Sequence, residues 1–262
     1  MTATSPELLR IAGFPARHGF TTRRGGVSSG PYASLDLSGS TGDDPVHVDE
    51  NRRRATAAFG ADPGRLVGVR QVHGTRVVDV REAGDDVAAD ALVASEPGWT
   101  LRVSVADCVP LLLVAPQRGV VAAVHAGWRG TAAGIVAATV RHLRDRTGVP
   151  PGELHAAIGP AISGPRYQVG AEVVAALREA GAPGSVAVPD PEEEGRFRAS
   201  VPDAVRALLL QEGVAAERIH DGGWCTASDA ERFYSHRRDG GRTGRHWALI
   251  ATPEAARSGL GW

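Results

Sequence analysis

The sequence predicts a single domain of α/β or α+β class, and three observations carry that reading. Strand-like apolar runs are mixed along the 262 residues with segments of helical period. No internal repeat and no low-complexity linker divides the chain. A hydrophobic fraction of 42% is enough to build a sizeable core.

The opening third is rich in glycine and polar turn residues, so TTRRGGVSSGPYASLDLSGSTGDDP reads as loops around short strands. VDENRRRATAAFG predicts a helix from Val48 to Gly60, after a turn at Asp43–Pro45 and ended by glycine. RLVGVRQVHG and TRVVDV are β-branched and strand-like, parted by a turn at Gly74. TLRVSVADC, over 100–108, alternates and then meets VPLLLVAP, a continuous apolar run of the kind found in a central strand. GVVAAVHAG, over 119–127, predicts another such strand, with Gly127 and Gly130 bracketing a turn. GTAAGIVAATVRHLRDRTG has helical period, with Ile135, Val136, Thr139, Val140 and Leu143 on one face. ELHAAIG predicts a short strand, GAEVVAALREAG and VPDAVRALLLQEGV two further helices, and AERIHDGGWCT and RHWALIAT the closing strands. PDPEEEGRFR, over 189–198, reads as a solvated loop, and PEAARSGLGW as a loose tail. The expected organisation is a lead-in over 1–18, one domain over 19–252 and a tail over 253–262.

Composition excludes several function classes. Twenty-nine basic against 30 acidic residues give a net charge of -1, which offers no footprint for nucleic acid or an anionic membrane surface. Every basic residue is arginine, so no lysine can form a Schiff base or serve a phosphate loop. Arginine remains free to clamp phosphate or carboxylate with its planar fork. Two cysteines, Cys108 and Cys225, allow at most one disulfide. The first residues lack the pattern of a signal peptide, and no apolar run reaches bilayer length. The expectation is a soluble cytoplasmic protein, monomeric or homodimeric.

Candidate chemistry lies where buried-looking strands end in polar residues. Cys108 ends one strand in Ala-Asp-Cys, and His125 ends the next in His-Ala-Gly-Trp-Arg-Gly. One strand, a turn and a returning strand separate them, so the two ends can meet. His73 stands at another strand-to-turn junction, in Gln-Val-His-Gly. A thiolate and two imidazoles make a sensible zinc set with a fourth position left open. The same spacing also suits a Cys108–His125 nucleophile pair, or a cysteine that is only a small buried hydrophobe. Spacing does not separate these.

Short motifs in order carry a resemblance over almost the whole chain. They are Thr-Arg-Arg-Gly-Gly-Val-Ser (22–28), Gly-Pro-Tyr-Ala-Ser-Leu (30–35), Gly-Asp-Asp-Pro (42–45) and Glu-Asn-Arg (50–52). Gln-Val-His-Gly (71–74), Ala-Asp-Cys (106–108), His-Ala-Gly-Trp-Arg-Gly-Thr (125–131) and Gly-Pro-Ala-Ile (159–162) follow. Cys-Thr (225–226), Arg-Arg-Asp-Gly (237–240) and Thr-Gly-Arg (243–245) complete the set. With these the chain resembles the YfiH-like, laccase-domain family, known both as multicopper polyphenol oxidase-like proteins and as purine nucleoside phosphorylases.

The resemblance implies a mixed β-sheet sandwich flanked by helices. It implies a metal site of His73, Cys108 and His125, holding zinc rather than copper, and phosphorolysis of adenosine, inosine and methylthioadenosine, with adenosine deamination beside it. Purine nucleosides and phosphate are the implied partners. Arg23, Asn51 and Arg52 match family positions, and Arg129 and Arg237 are further candidates for substrate or phosphate. Four positions depart from the family pattern: Gln168 replaces a glutamate, Asp36 an asparagine, Ser200 an aspartate and His236 a tyrosine. Glutamine cannot shuttle a proton, so if the family's glutamate is the acid/base, either activity is reduced here or the role passes to Glu172. The other readings are a cysteine or zinc hydrolase in peptidoglycan editing, a copper polyphenol oxidase, and a protein that binds nucleosides or partners without turnover. The nine histidines include no His-x-His pair, which argues against a copper cluster.

Overall fold

A computed structural model describes residues 5–253, so residues 254–262 of the predicted tail lie outside the described residues. In chain order run β1 (Leu8–Leu9), β2 (His18–Thr21), α1 (Pro45–Phe59), β3 (Leu66–Val67), β4 (Val77–Asp79), β5 (Ala91–Ala94) and β6 (Thr100–Val105). β7 (Val109–Ala115), β8 (Val120–Ala126), α2 (Trp128–Ala133), α3 (Ile135–Thr147), β9 (His155–Ile158) and β10 (Gln168–Val169) come next. Last are α4 (Ala171–Glu179), β11 (Ala187–Pro189), β12 (Phe197–Ala199), α5 (Val201–Gln211), β13 (Ile219–Asp221) and β14 (His246–Ala251).

The strands form a mixed sandwich. One sheet has the order β1-β2-β14-β6-β3 and the other β13-β9-β7-β8-β5-β4, with a small β10-β12-β11 sheet to the side. Period-two alternation divides the central strands between two cores. Leu112, Val114, Val121 and Ala123 face Phe20, Leu101, Val103 and Ile250 across the sandwich. Leu111, Leu113, Ala122 and Val124 face the other way, onto Ile135, Val140 and Leu143 of α3 and Val205 and Leu209 of α5. This double burial explains why VPLLLVAP and GVVAAVHAG read as unbroken apolar runs. Beyond the five-stranded sheet, Trp247 and Leu249 pack on Leu35, Leu37, Ala55 and Phe59, which brings α1 and the loop before it against the sheet.

Several elements differ from their sequence reading. The helical run after Gly127 is two helices, because Gly134 at φ 96° ends α2 and starts α3. Trp128 already stands in α2, so Gly127 and Gly130 do not bracket a turn. The helix predicted from Val48 begins at Pro45, capped by Asp44, whose side chain accepts from Val46 N. Only Leu66–Val67 and Val77–Asp79 of the two predicted strands around Gly74 pair regularly, and the segment between them is loop. The acidic loop is shorter than 189–198, since Pro189 and Phe197 are paired in the small sheet. Among the described residues no helix is long and apolar enough to cross a membrane.

Candidate functional site

The β7–β8 hairpin builds the centre of the site. Its register sets Val109 opposite Ala126 and Pro110 opposite His125, so Cys108 stands beside the end of β8. Cys108 does not end the strand over 100–108 as predicted, because β6 stops at Val105 and Cys108 lies in the bend that leads into β7. His73 arrives from the loop after β3 with φ 60°, a conformation uncommon outside glycine. The ligand atoms of His73, Cys108 and His125 lie within 4.8 Å of one another. Cys108 Sγ is 3.9 Å from His73 Nε2, and the two imidazoles meet edge to face with centroids 4.7 Å apart.

Asp90, fully buried, holds the segments of two of these three residues. Its Oδ1 accepts from His125 Nδ1 at 2.8 Å and from His73 N at 2.9 Å. Its Oδ2 accepts from Gly74 N at 2.7 Å and Val72 N at 3.2 Å. Burial alone would push this carboxyl up, but the bonds from His125 and the backbone N–H groups hold it below its ordinary range. A carboxylate there fixes the proton of His125 on Nδ1 and leaves the Nε2 lone pair free on the side of Cys108, the arrangement metal-ligating histidines use. Gly127 completes the fit. A Cβ at that position would stand 2.9 Å from His73 Cδ2 and 3.0 Å from Cys108 Sγ.

The electrostatics are those of a thiolate among imidazoles. Burial raises the Cys108 thiol, yet His125 and His73 outweigh it and hold it well below the usual thiol range. Burial lowers His125, while Cys108 and Asp90 raise it. One sulfur and two imidazole nitrogens, converging and oriented from behind, fit a zinc-type site with an open fourth position. It is the one such His/Cys/carboxylate group among the described residues.

The trio opens into a cavity of about 860 Å³. Arg52, Arg70, Arg102, Arg129, Arg237 and Arg245 all reach its wall. Trp128 and Tyr167 supply flat apolar surface, with the Arg129 guanidinium 4.5 Å from the first ring and that of Arg237 4.6 Å from the second. Asp107 connects the cysteine to this wall. It has φ 88°, its Oδ1 accepts from Thr226 Oγ1 at 2.6 Å, and its Oδ2 accepts from Arg237 N at 2.7 Å. A non-glycine residue held there costs about 1–3 kcal/mol, which these two bonds offset.

Of the residues singled out by sequence, the structure brings His73, Cys108, His125, Arg52, Arg129, Arg237 and His236 to the cavity. Arg23, Asn51, Gln168 and Glu172 are not part of its wall. Arg23 donates to Ala33 O and Ala230 O and lies over Tyr234. Asn51 is buried, accepting from Val27 N and donating to Ser28 Oγ and Asp36 O. Gln168 donates from Nε2 to Asp190 Oδ2 at 2.7 Å and Glu193 Oε2 at 3.1 Å. Glu172 is exposed in the first turn of α4. Asp36 is buried and receives Ser38 N, Thr41 Oγ1 and Arg245 N, and burial raises its carboxyl. Ser200 caps α5 by accepting from Asp203 N.

Sequence reasoning missed Asp90, Asp107 and Arg102. Asp107 stands inside a motif already quoted, next to a ligand, which was a usable signal. Asp90 in Ala-Asp-Ala and Arg102 in an alternating strand carry none.

The chain is similar over nearly its full length to proteins that have been described. A purine nucleoside phosphorylase of Deinococcus radiodurans is 44% identical over 253 residues, covering 97% of this chain and 96% of that protein. One from Pseudomonas aeruginosa is 43% identical over 230 residues, covering 88% and 90%. The crystal structure of YlmD from Geobacillus stearothermophilus superposes with a TM-score of 0.88 at 36% identity, covering 97% of this chain and 98% of that one. The family described as multi-copper polyphenol oxidoreductase laccase matches residues 17–253, and with the sandwich and the His-Cys-His centre now in place, this chain belongs to that family.

Proposed function

We propose that the chain is a purine nucleoside phosphorylase that works in the arginine-walled cavity, with zinc held by His73, Cys108 and His125. The observation that carries this reading is the convergence of six arginines and the ligand trio on one cavity, in a chain whose full-length relatives are named for that activity. Phosphorolysis breaks the glycosidic C1′–N9 bond, joins a phosphate oxygen to C1′ and releases the base with a proton. The charge to be managed is that of phosphate and of an electron-poor ribose, and arginine is the cation this sequence has.

Zinc in the trio would supply Lewis-acid charge beside the bound substrate. The chain's own residues do the rest. Trp128 and Tyr167 offer aromatic surface to a purine, Arg129 and Arg237 bring charge to the same rings, and Asp90 keeps His125 in one tautomer. The family's older label calls for several copper ions, whereas the described residues offer one ligand group.

The test is an assay with inosine and adenosine, with and without phosphate, on protein whose metal content has been measured. Free base and ribose 1-phosphate should appear only with phosphate, in protein carrying close to one zinc. Base release unaffected by omitting phosphate would overturn the reading, and ammonia release in the adenosine arm reads whether deamination accompanies it.

A further inference from the structure

The cavity wall is far more basic than the chain that surrounds it. Six arginines face two carboxylates, Asp85 and Asp107, in a protein of net charge -1. Asp107 is engaged inside the protein, accepting from Thr226 and from Arg237 N. Asp85 is therefore the one lining carboxylate whose partner is a guanidinium.

That partner is Arg102. Its side chain rises from β6, is only 10% exposed, and lies over the Trp247 ring at 4.7 Å. Its Nη2 donates to both oxygens of Asp85, to Oδ2 at 2.7 Å. The Asp85 side chain is 63% exposed, on a turn closed by Val87 N donating to Gly84 O. Nothing but Arg102 binds its carboxylate among the described residues.

Arg52 adds to the demand for an anion. Its Nε donates to Leu37 O at 3.0 Å, and its terminal nitrogens make no hydrogen bond among the described residues. One of them lies over Gly39, between Ser38 and Ser40, whose hydroxyls are 3.0 Å apart. Burial and the Arg52 charge lower Arg102, against the opposing effect of Asp85. Two neighbouring guanidiniums, one of them desolvated, are a poor arrangement without a negative group, and a phosphate dianion offers more charge and more acceptors than one carboxylate.

We propose that Arg52 and Arg102 form the phosphate subsite of this cavity and that Asp85 is its internal occupant, a carboxylate that incoming phosphate displaces from Arg102. The assignment of phosphate as the displacing anion rests on the proposed phosphorylase activity. The ion pair keeps Arg102 extended into the cavity when phosphate is absent, and it weakens phosphate binding by competing for the same fork. Asp85 swings out to solvent, which its exposure allows, and no covalent step is involved.

The experiment is calorimetric titration of the metal-loaded protein with inorganic phosphate, no nucleoside present, beside phosphate KM in the nucleoside assay. Asp85→Asn keeps the shape and removes the charge. It should tighten phosphate Kd about fivefold, the range of a half-exposed ion pair, and lower KM in parallel. Arg102→Gln should weaken binding more than about tenfold, with partial recovery in Arg102→Lys, which keeps the charge and loses the fork. An unchanged or weaker Kd in Asp85→Asn overturns the proposal. If the protein cleaves no nucleoside yet Asp85→Asn binds phosphate more tightly, the subsite stands and the phosphorylase reading falls. If cleavage requires phosphate and Asp85→Asn keeps the wild-type KM, the reverse holds.

Discussion

Asp90 and His125 are joined twice, side chain to side chain and main chain to main chain. Asp90 Oδ1 accepts from His125 Nδ1 at 2.8 Å, and the Asp90 carbonyl accepts from His125 N at the same distance. The remaining lone pairs of the carboxylate hold the backbone of Val72, His73 and Gly74. One buried residue between β4 and β5 thus aims His125 on β8 and fixes the loop that carries His73.

Asp90→Asn should therefore weaken metal binding without removing any ligand. The amide NH2 would face N–H donors from which the carboxylate oxygen now accepts, so His125 and the His73 loop lose their common anchor. Outer-shell changes of this kind cost about 10- to 100-fold in metal affinity. Zinc competition against a chromogenic chelator measures it, and an affinity equal to wild type would remove Asp90 from the design of the site.

Gly127→Ala tests the space between the ligands rather than the ligands themselves. Gly127 has φ -72°, which alanine accepts, so any effect is steric. The added Cβ would press on His73 Cδ2 and Cys108 Sγ. Zinc content after dialysis against chelator should fall while the far-ultraviolet dichroism stays that of wild type. Full zinc retention would mean that the His73 loop can yield, and that its φ of 60° is not a condition of binding.

The core hairpin, and the approach of Cys108 to His125 at its open end, were legible in the sequence for physical reasons, whereas the choice of a metal set that includes His73 came from the family resemblance and not from spacing. Strands buried on both faces leave continuous apolar runs, and a hairpin brings its open ends together whatever lies elsewhere. The helix break at Gly134 was not legible, because the apolar period continues on either side while one glycine at φ 96° redirects the chain. The cavity wall was less legible still. Arg52 comes from α1, Arg102 from β6 and Arg237 from a loop far along the chain, and only the packing of the two sheets shows that they share a space. Glycine-rich loops gave no register from which to infer that Asn51 turns inward, where it ties Val27, Ser28 and Asp36 together.

Stability should fall in mild acid, and His246 should be a principal cause. Its ring is buried, accepts from Tyr234 N at 2.7 Å and is pushed down to about 3, by burial first and then by the charges of Arg23 and Arg245. Its folded value is below the unfolded 6.5, so the unfolded chain takes the proton first. The contribution to stability is whole above 6.5 and is lost as pH falls from there through about 3. Burial lowers His18 too, which adds in the same direction. Thermal unfolding at about pH 7.5 and pH 5 should show a smaller drop in Tm for His246→Gln than for wild type. Parallel drops would assign the acid sensitivity elsewhere.

Gln168→Glu restores the residue that the family pattern places there, and the structure argues against a simple gain from it. The Gln168 amide donates to Asp190 Oδ2 and Glu193 Oε2, and Asp190 also receives Arg198 at 2.9 Å. A glutamate would bring a third carboxylate to Asp190 and Glu193, in place of the donor that now joins them. Either it protonates, and keeps one hydrogen bond, or it repels both and loosens the loop over 190–196. The loss of a charge-assisted bond plus like-charge contact points to a destabilisation of about 1–3 kcal/mol. Turnover should not rise through proton transfer, because the side chain is not on the cavity wall. An indirect effect remains, since Arg237 Nη1 donates to the Gln168 carbonyl and Arg237 does line the cavity. That path predicts a change in KM for substrate rather than a new limb in the pH–rate profile. A rise in kcat with a new ionisation in that profile would show that position 168 reaches the reacting atoms, and that the bonds to Asp190 and Glu193 give way when substrate binds.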